Sequence, residues 1–267
     1  MRITFGFSTC PNDTFMFDAL VHKKIDTEGI DFDVKLADIE KLNKWSLQAR
    51  LDITKVSYGA FLLCNDKYII IDSGSALGNN CGPILVKNKN TVFNKRSSIA
   101  IPGKNTTANM LCSFFYPENV NKKVVLFSDI ESYIISGKVD AGLLIHENRF
   151  TYQKKGLEKI KDLGECWQEK TKSPIPLGGI VVKRKLEKQI QHKIQRVIKR
   201  SINYAFNNPL SSKEYVKSYA QEIDDLIIEK HIDLYVNKFS LSLGKKGKES
   251  IIKMLEGYNL TSKNMFL

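Results

Sequence analysis

A chain of 267 residues that is 42 % hydrophobic and 26 % charged has room for one large domain or two lobes with a real core, and its composition excludes a disordered protein. No run approaches the roughly 18 consecutive apolar residues of a membrane-spanning helix. The net charge of +12 is uneven: residues 1–150 hold 18 Lys and Arg against 16 Asp and Glu, whereas residues 151–267 hold 23 against 13.

In chain order, "ITFGF" (3–7) alternates as a strand, and a helix is predicted from Pro11, proline being well placed in a first turn. "FDVKLAD" (32–38) is a strand, followed by the helix "IEKLNKWSLQAR" with Leu42, Trp45 and Ala49 inward. "LDITKVS" (51–57) is extended and "YGAFLL" helical. "YIIIDSG", "GPILVKN" and "SSIAIPG" (97–103) are strands, and a helix begins near Thr106. "SDIESYIISG" (128–137) opens with Ser128 and Glu131 in capping-box spacing and closes on Gly137. A five-residue apolar strand, 141–145, runs straight into His146. "GGIVVKR" is one more strand, and the remainder is largely helical, with Ser211 and Glu214 as a second capping-box candidate. Strands alternating with helices predict the α/β class.

The basic run "KRKLEKQIQHKIQRVIKR" (183–200) places Leu186, Ile190, Ile194, Val197 and Ile198 on one helical face and its charges on the other, the pattern of a solvated surface helix. It carries no aromatic residue to stack a base, so a nucleic-acid partner is not expected. The opening "MRITFGFSTC" lacks the charged start, apolar core and cleavage site of a secretion signal. The five cysteines (Cys10, Cys64, Cys81, Cys112, Cys166) form no C-x-x-C pair. Reduced, mostly buried thiols in a cytoplasmic protein are therefore expected, with no membrane partner.

Two segments share one design. "ITFGFSTCPNDTFMF" and "IAIPGKNTTANML" each run from an apolar strand through a small-polar loop containing Pro into a helix that opens on Thr. A helix start leaves amides unpaired and carries partial positive charge, so it can hold an anion. Ligands of open α/β sheets sit beyond the carboxyl ends of strands, where these loops lie. Asn12, Asp13, Thr14, Thr106 and Thr107 are candidate ligand contacts on this ground, and helix caps on the ordinary one.

His146 lies at the same end, directly after its strand. An imidazole titrates near neutrality and suits a general base; packing against backbone is the plainer role. Glu147 is placed either to orient the ring or to point away, and Arg149 either to meet an anion or to make an ion pair. His22 near a helix end, His192 on the basic face and His231 in the C-terminal helices read as structural. "SGSALGNNCGP" (73–83) matches neither dinucleotide nor phosphate-loop glycine spacing, and reads as a tight turn between strands. No metal-ligand spacing, nucleophile elbow or cofactor fingerprint occurs. Any chemistry is expected from side chains alone, with no metal and no cofactor.

"CPNDTF" (10–15), "TKVSY" (54–58), "SGSALG" (73–78), "PGKNTTA" (102–108), "IHENRFTY" (145–152), "PIPLGG" (174–179) and "YVNKFSLSLG" (235–244) occur in order over most of the chain. Together they resemble the 1,4-dihydroxy-6-naphthoate synthase family, lyases of the futalosine route to menaquinone. The resemblance implies a two-lobed α/β fold of the type 2 periplasmic-binding-protein kind, with the site in the interlobe cleft. It implies lobe 1 from 1–88 and 183–267 and lobe 2 from 89–182, with crossovers near "GPILVKN" and "IPLGGIVV". It further implies conversion of cyclic dehypoxanthine futalosine, a small anionic molecule, to 1,4-dihydroxy-6-naphthoate. His146 would be the proton acceptor, with Lys55, Val56, Ser57, Thr106, Thr107, Ala108, Asn12 and Asp13 as substrate contacts. Asn80 stands where the family has glycine, and Asn is the side chain that best tolerates a left-handed backbone. Chorismate dehydratase, a sister enzyme of the same shape, and a non-catalytic cytosolic binder are the rival readings.

Overall fold

The computed structural model describes residues 1–220, 224–256 and 265–267. The chain divides into two compact units, residues 1–77 with 176–267 and residues 78–175. These divisions fall earlier on the chain than the 88/89 and 182/183 boundaries expected from sequence. The reason is sheet membership, set out below.

Unit 1 opens with β1 (Arg2–Phe7), α1 (Pro11–Val21), β2 (Asp31–Leu36), α2 (Ile39–Leu47), β3 (Ile53–Ser57), α3 (Tyr58–Phe61), β4 (Tyr68–Ile70) and β5 (Ala76–Gly78). Unit 2 follows with β6 (Ile84–Asn88), β7 (Ile99–Ile101), α4 (Thr107–Phe115), β8 (Lys122–Val124), α5 (Ile130–Ile135), β9 (Ala141–Leu144), β10 (Leu157–Asp162) and α6 (Leu163–Thr171). The chain returns along β11 (Ile175–Lys183) to α7 (Lys188–Asn207), α8 (Lys213–Tyr219), α9 (Asp225–Tyr235), α10 (Lys238–Leu241) and α11 (Gly244–Glu256). The first sheet has the order β2-β1-β3-β11-β4, with β5 paired to β11 off that path; the second has the order β10-β6-β9-β7-β8. "GPILVKN" therefore belongs to unit 2, because β6 pairs with both β9 and β10. β11 belongs to unit 1, because it pairs antiparallel with β3 and β4.

The core of unit 1 gathers the inward residues of β1 with α1 and α7. Phe5, Phe7 and Phe17 are fully buried, with ring centroids 5.0–5.1 Å apart, the spacing of favourable tilted aromatic pairs. Ile194, Val197 and Ile198 of α7 join that cluster, and Leu186 and Ile190 pack on it partly buried, as the sequence pattern predicts. The core of unit 2 is smaller and centres on Ile84, Val86, Ala100, Ile130, Ile134 and Leu144.

Three local expectations are corrected. α2 stops at Leu47, and Ala49 lies beyond it in a left-handed turn at φ +49° instead of on an inward helical face. Ser128 caps no helix: it sits inside a 3₁₀ turn (Phe127–Asp129), and its partner Glu131 is drawn inward to other donors. Ser211 is likewise held in a 3₁₀ turn (Pro209–Ser212), where its hydroxyl and carbonyl oxygens accept from Lys24 Nζ at 2.9 and 2.8 Å.

Candidate functional site

In unit 1, β1 and β3 are parallel neighbours, Phe5 opposite Ile53 and Gly6 opposite Thr54. Their carboxyl ends therefore emerge side by side, which brings the Ser8–Asp13 loop to Lys55–Ser57. Asp13 is the hub. Its Oδ2 accepts from the Ser8 amide at 3.2 Å and the Ser8 hydroxyl at 2.7 Å, and its Oδ1 from Asn12 Nδ2 at 2.8 Å and Lys55 Nζ at 2.7 Å. The Asp13 and Lys55 side chains are 1 % and 5 % exposed. A pair this buried is tolerable only when further hydrogen bonds satisfy both charges, and the Ser8 and Asn12 donors do so for the carboxylate. Lys55 Nζ also donates to the Gly74 carbonyl at 3.3 Å. Among the described residues two of its three N–H groups are thus used, and the third has no protein acceptor.

Ser57 closes β3. Its amide donates to Asn43 Oδ1 at 2.9 Å, and Asn43 Nδ2 donates to its hydroxyl at 3.1 Å. Val56 is fully buried and pairs with Gly179 of β11, so its side chain is enclosed by the core. A Cβ on Gly179 would lie 2.5 Å from the Tyr58 hydroxyl, which explains the small residue in "PIPLGG". Asn43 and His231 are site-adjacent residues that sequence reasoning missed. His231, on α9, is 1 % exposed and its Nε2 lies 3.0 Å from Asn12 Oδ1.

In unit 2, β7 and β9 are parallel neighbours, Ile99 opposite Ala141 and Ala100 opposite Gly142. The loop into α4 and the residue after β9 therefore share one sheet edge. Thr106 is the N-cap of α4, accepting from the Asn109 amide at 3.2 Å and donating to the Gly103 carbonyl at 2.9 Å. Thr107 and Ala108 are the first, buried residues of that helix, where its early amides cluster.

His146 opens a 3₁₀ turn (His146–Phe150) with φ +59°, a left-handed conformation uncommon outside glycine that His, like Asn and Asp, adopts more readily than most. Its ring stands edge-to-face on Phe127, centroids 4.8 Å apart. Ties beyond the turn hold it there. Asn148 Nδ2 and Lys155 Nζ both donate to Glu131 Oε2 at 2.6 Å. Arg149 donates to the Gly82 carbonyl at 2.8 Å and to Asp162 Oδ2 at 3.0 Å, so of its two sequence roles the structure shows the ion pair. Burial pushes the Asp162 carboxyl above its ordinary range, against the pull of Arg149 and of the Gly164 and Glu165 amides. Glu147 is buried. Asn80 adopts φ +49° and donates its amide to Gln168 Oε1 at 2.7 Å, the left-handed turn its residue type favours.

Each unit thus carries a polar set at the carboxyl ends of its parallel strands: Asn12, Asp13, Lys55 and Ser57 in one, Thr106, Thr107, Ala108 and His146 in the other. A lysine ammonium and hydroxyls of the first kind suit an anionic oxygen, early helix amides like those of the second suit one too, and an imidazole can move a proton. Among the described residues no helix is long and apolar enough to cross a membrane.

Residues 3–259 match the family model described as "Menaquinone biosynthesis". The chain is 38 % identical over 249 residues to the 1,4-dihydroxy-6-naphthoate synthase of Thermus thermophilus, covering 93 % of this chain and 91 % of the relative. It is 37 % identical over 255 residues to the synthase of the same name from Streptomyces coelicolor, covering 94 % and 90 %. A crystal structure of a protein from Archaeoglobus fulgidus superposes with TM-score 0.90 at 32 % identity, over 97 % of this chain and 98 % of that one. A Candida albicans protein described as having the generic periplasmic-binding-protein fold superposes with TM-score 0.71 at 11 % identity, over 100 % and 98 %. That likeness is one of fold alone, and it makes the architecture periplasmic-binding-protein-like. With the model spanning nearly the whole chain and two relatives above a third identical, this protein belongs to the menaquinone-biosynthesis family.

Proposed function

We propose that this chain is a 1,4-dihydroxy-6-naphthoate synthase, a carbon–carbon lyase acting on cyclic dehypoxanthine futalosine in menaquinone biosynthesis. The observation that carries the proposal is near-full-length identity to two synthases of that name. His146 is the base. Its imidazole takes a hydroxyl proton from the substrate; that oxygen becomes a carbonyl as the adjacent C–C bond breaks, and the bonding electrons pass into the ring system. The former sugar carbons leave, and formation of the aromatic naphthalenoid ring drives the cleavage. Lys55 and Ser57 hold the substrate's anionic oxygens throughout, and the Thr106–Ala108 helix start meets the charge as it moves. Val56 contributes backbone, Asp13 holds Lys55, and Asn12 holds Asp13. The enzyme acts in the cytoplasm on a free small molecule, with the protein's own side chains and backbone amides as its catalytic groups.

The test is a mass-resolved incubation of purified protein with cyclic dehypoxanthine futalosine and, separately, with chorismate. Dihydroxynaphthoate from the first, lost in His146→Ala, is the expected result. Dehydrated chorismate from the second would reassign the protein to the sister reaction. Thermal stabilisation without product would make it a binder.

A further inference from the structure

We propose that His231 is a positioning residue, one that fixes the Asn12 amide and through it the Asp13–Lys55 pair. The inference rests on the reading of Lys55 as a substrate contact given above. A carboxylate only accepts hydrogen bonds, so Asn12 must turn its NH₂ toward Asp13 Oδ1, at 2.8 Å. That orientation presents Asn12 Oδ1 to His231 Nε2, at 3.0 Å. Oδ1 also only accepts, so the ring nitrogen must carry a proton and donate. The reverse amide orientation would set two acceptors against each other at Asp13.

One oxygen of Asp13 receives both Asn12 and Lys55 Nζ, so the Asn12 amide defines where on that oxygen the ammonium can sit. The remaining oxygen is occupied by Ser8. All four groups are buried, with Asn12 the most accessible at 8 %, so water does not substitute for a missing donor at low cost. The imidazole itself is held by α9, whose buried residues Ile227 and Ile228 anchor the helix and whose Tyr235 ring lies 4.8 Å from it. A helix from the far end of the chain thereby sets the third, free N–H of Lys55.

Two variants and one spectrum test this. His231→Gln keeps an N–H near the ε position, and His231→Leu removes it. Lys55 contacts would be made in ground and transition states alike, so their loosening is read in KM more than in kcat. The expected result is a KM raised about tenfold in His231→Leu, and restored to within about threefold by His231→Gln, with kcat little changed. An unchanged KM in His231→Leu, or equal impairment of both variants, overturns the proposal. Nitrogen-15 spectra of the full chain, with the His231→Gln spectrum assigning its signals, should show a proton on Nε2. A proton on Nδ1 alone overturns it whether or not the protein turns over substrate. Wild-type protein that makes no dihydroxynaphthoate sinks the function reading instead, which separates the two failures.

Discussion

Asn148 donates to Glu131 at 2.6 Å, and this bond joins the turn that begins at His146 to a helix packed beneath it. Lys155 reaches the same carboxylate oxygen, so one buried carboxylate registers the 3₁₀ turn His146–Phe150 and the next one, Tyr152–Lys155. Charge-assisted bonds of this kind contribute about 1.5–3 kcal/mol each. Glu131→Ala is expected to destabilise the protein by about 2–3 kcal/mol and to lower kcat, because His146, the base proposed above, would no longer be held at one position. Denaturant unfolding and steady-state kinetics measure the two effects. Full activity in a destabilised Glu131→Ala would show that the turn keeps its register without the carboxylate.

His146 itself gives a second prediction, because its backbone and its chemistry can be separated. Both His146→Ala and His146→Gly remove the imidazole and should lower turnover about 10²–10⁴-fold. Both also lose the edge contact with Phe127. Glycine is at ease at φ +59° and alanine is not, so His146→Gly should be more stable than His146→Ala by about 1 kcal/mol. Alanine equal to or better than glycine in thermal unfolding would mean that the left-handed conformation is not kept in solution.

Much of this was legible in the sequence, for reasons that also explain what was not. The strands leading to Asp13 and Thr106, β1 and β7, are short and mostly apolar, and the helix starts after them carry Pro or Thr, so the two polar edges announce themselves locally. β8 and β10, with sequences KKV and LEKIKD, do not. They are the edge strands of their sheet, largely exposed, and an edge strand rich in lysine has little apolar alternation to detect. The supporting polar residues were hidden for a different reason. Asn43, Glu131 and His231 sit on helical faces that pack inward, and each meets its partner through a bond to a residue elsewhere in the chain, as far as 219 positions away for His231 and Asn12. A hydrogen bond of that span leaves no periodicity. The capping-box spacings failed because Glu131 and Ser211 found stronger, charged partners in Lys155 and Lys24.

The contact of Gly82 with Gly164 yields a third prediction. A Cβ on Gly164 would fall 2.3 Å from the Cys81 carbonyl carbon and 2.4 Å from the Gly82 amide nitrogen, all backbone atoms that cannot swing aside. Gly164→Ala is expected to cost about 3 kcal/mol. It should also weaken activity, since Arg149 donates to the Gly82 carbonyl from within the turn that starts at His146. Unfolding transitions and turnover report both, and a loss of stability with unchanged turnover would cut Arg149 out of the positioning of that turn.

Asp52 supplies a pH-dependent prediction in unit 1. Its carboxylate accepts from the Thr4 amide at 3.0 Å, the Thr4 hydroxyl at 2.7 Å and Lys183 Nζ at 3.1 Å, tying β1 to the end of β11. Burial pulls this carboxyl upward, but the two Thr4 bonds and the Lys183 ammonium outweigh it, and the net displacement is downward. A carboxyl with a folded pKa below its unfolded value binds protons less readily when folded, so folding stability rises with pH across that interval. The contribution is therefore complete above about pH 4, the ordinary aspartate range, and disappears as the pH falls through the folded value. Wild type should exceed Asp52→Asn by about 1–2 kcal/mol near neutrality, a gap that narrows below about pH 4. Urea titrations of both proteins at pH 7 and pH 3 measure it. A gap of the same size at both pH values would mean that the ionised carboxylate is not what joins Thr4 to Lys183.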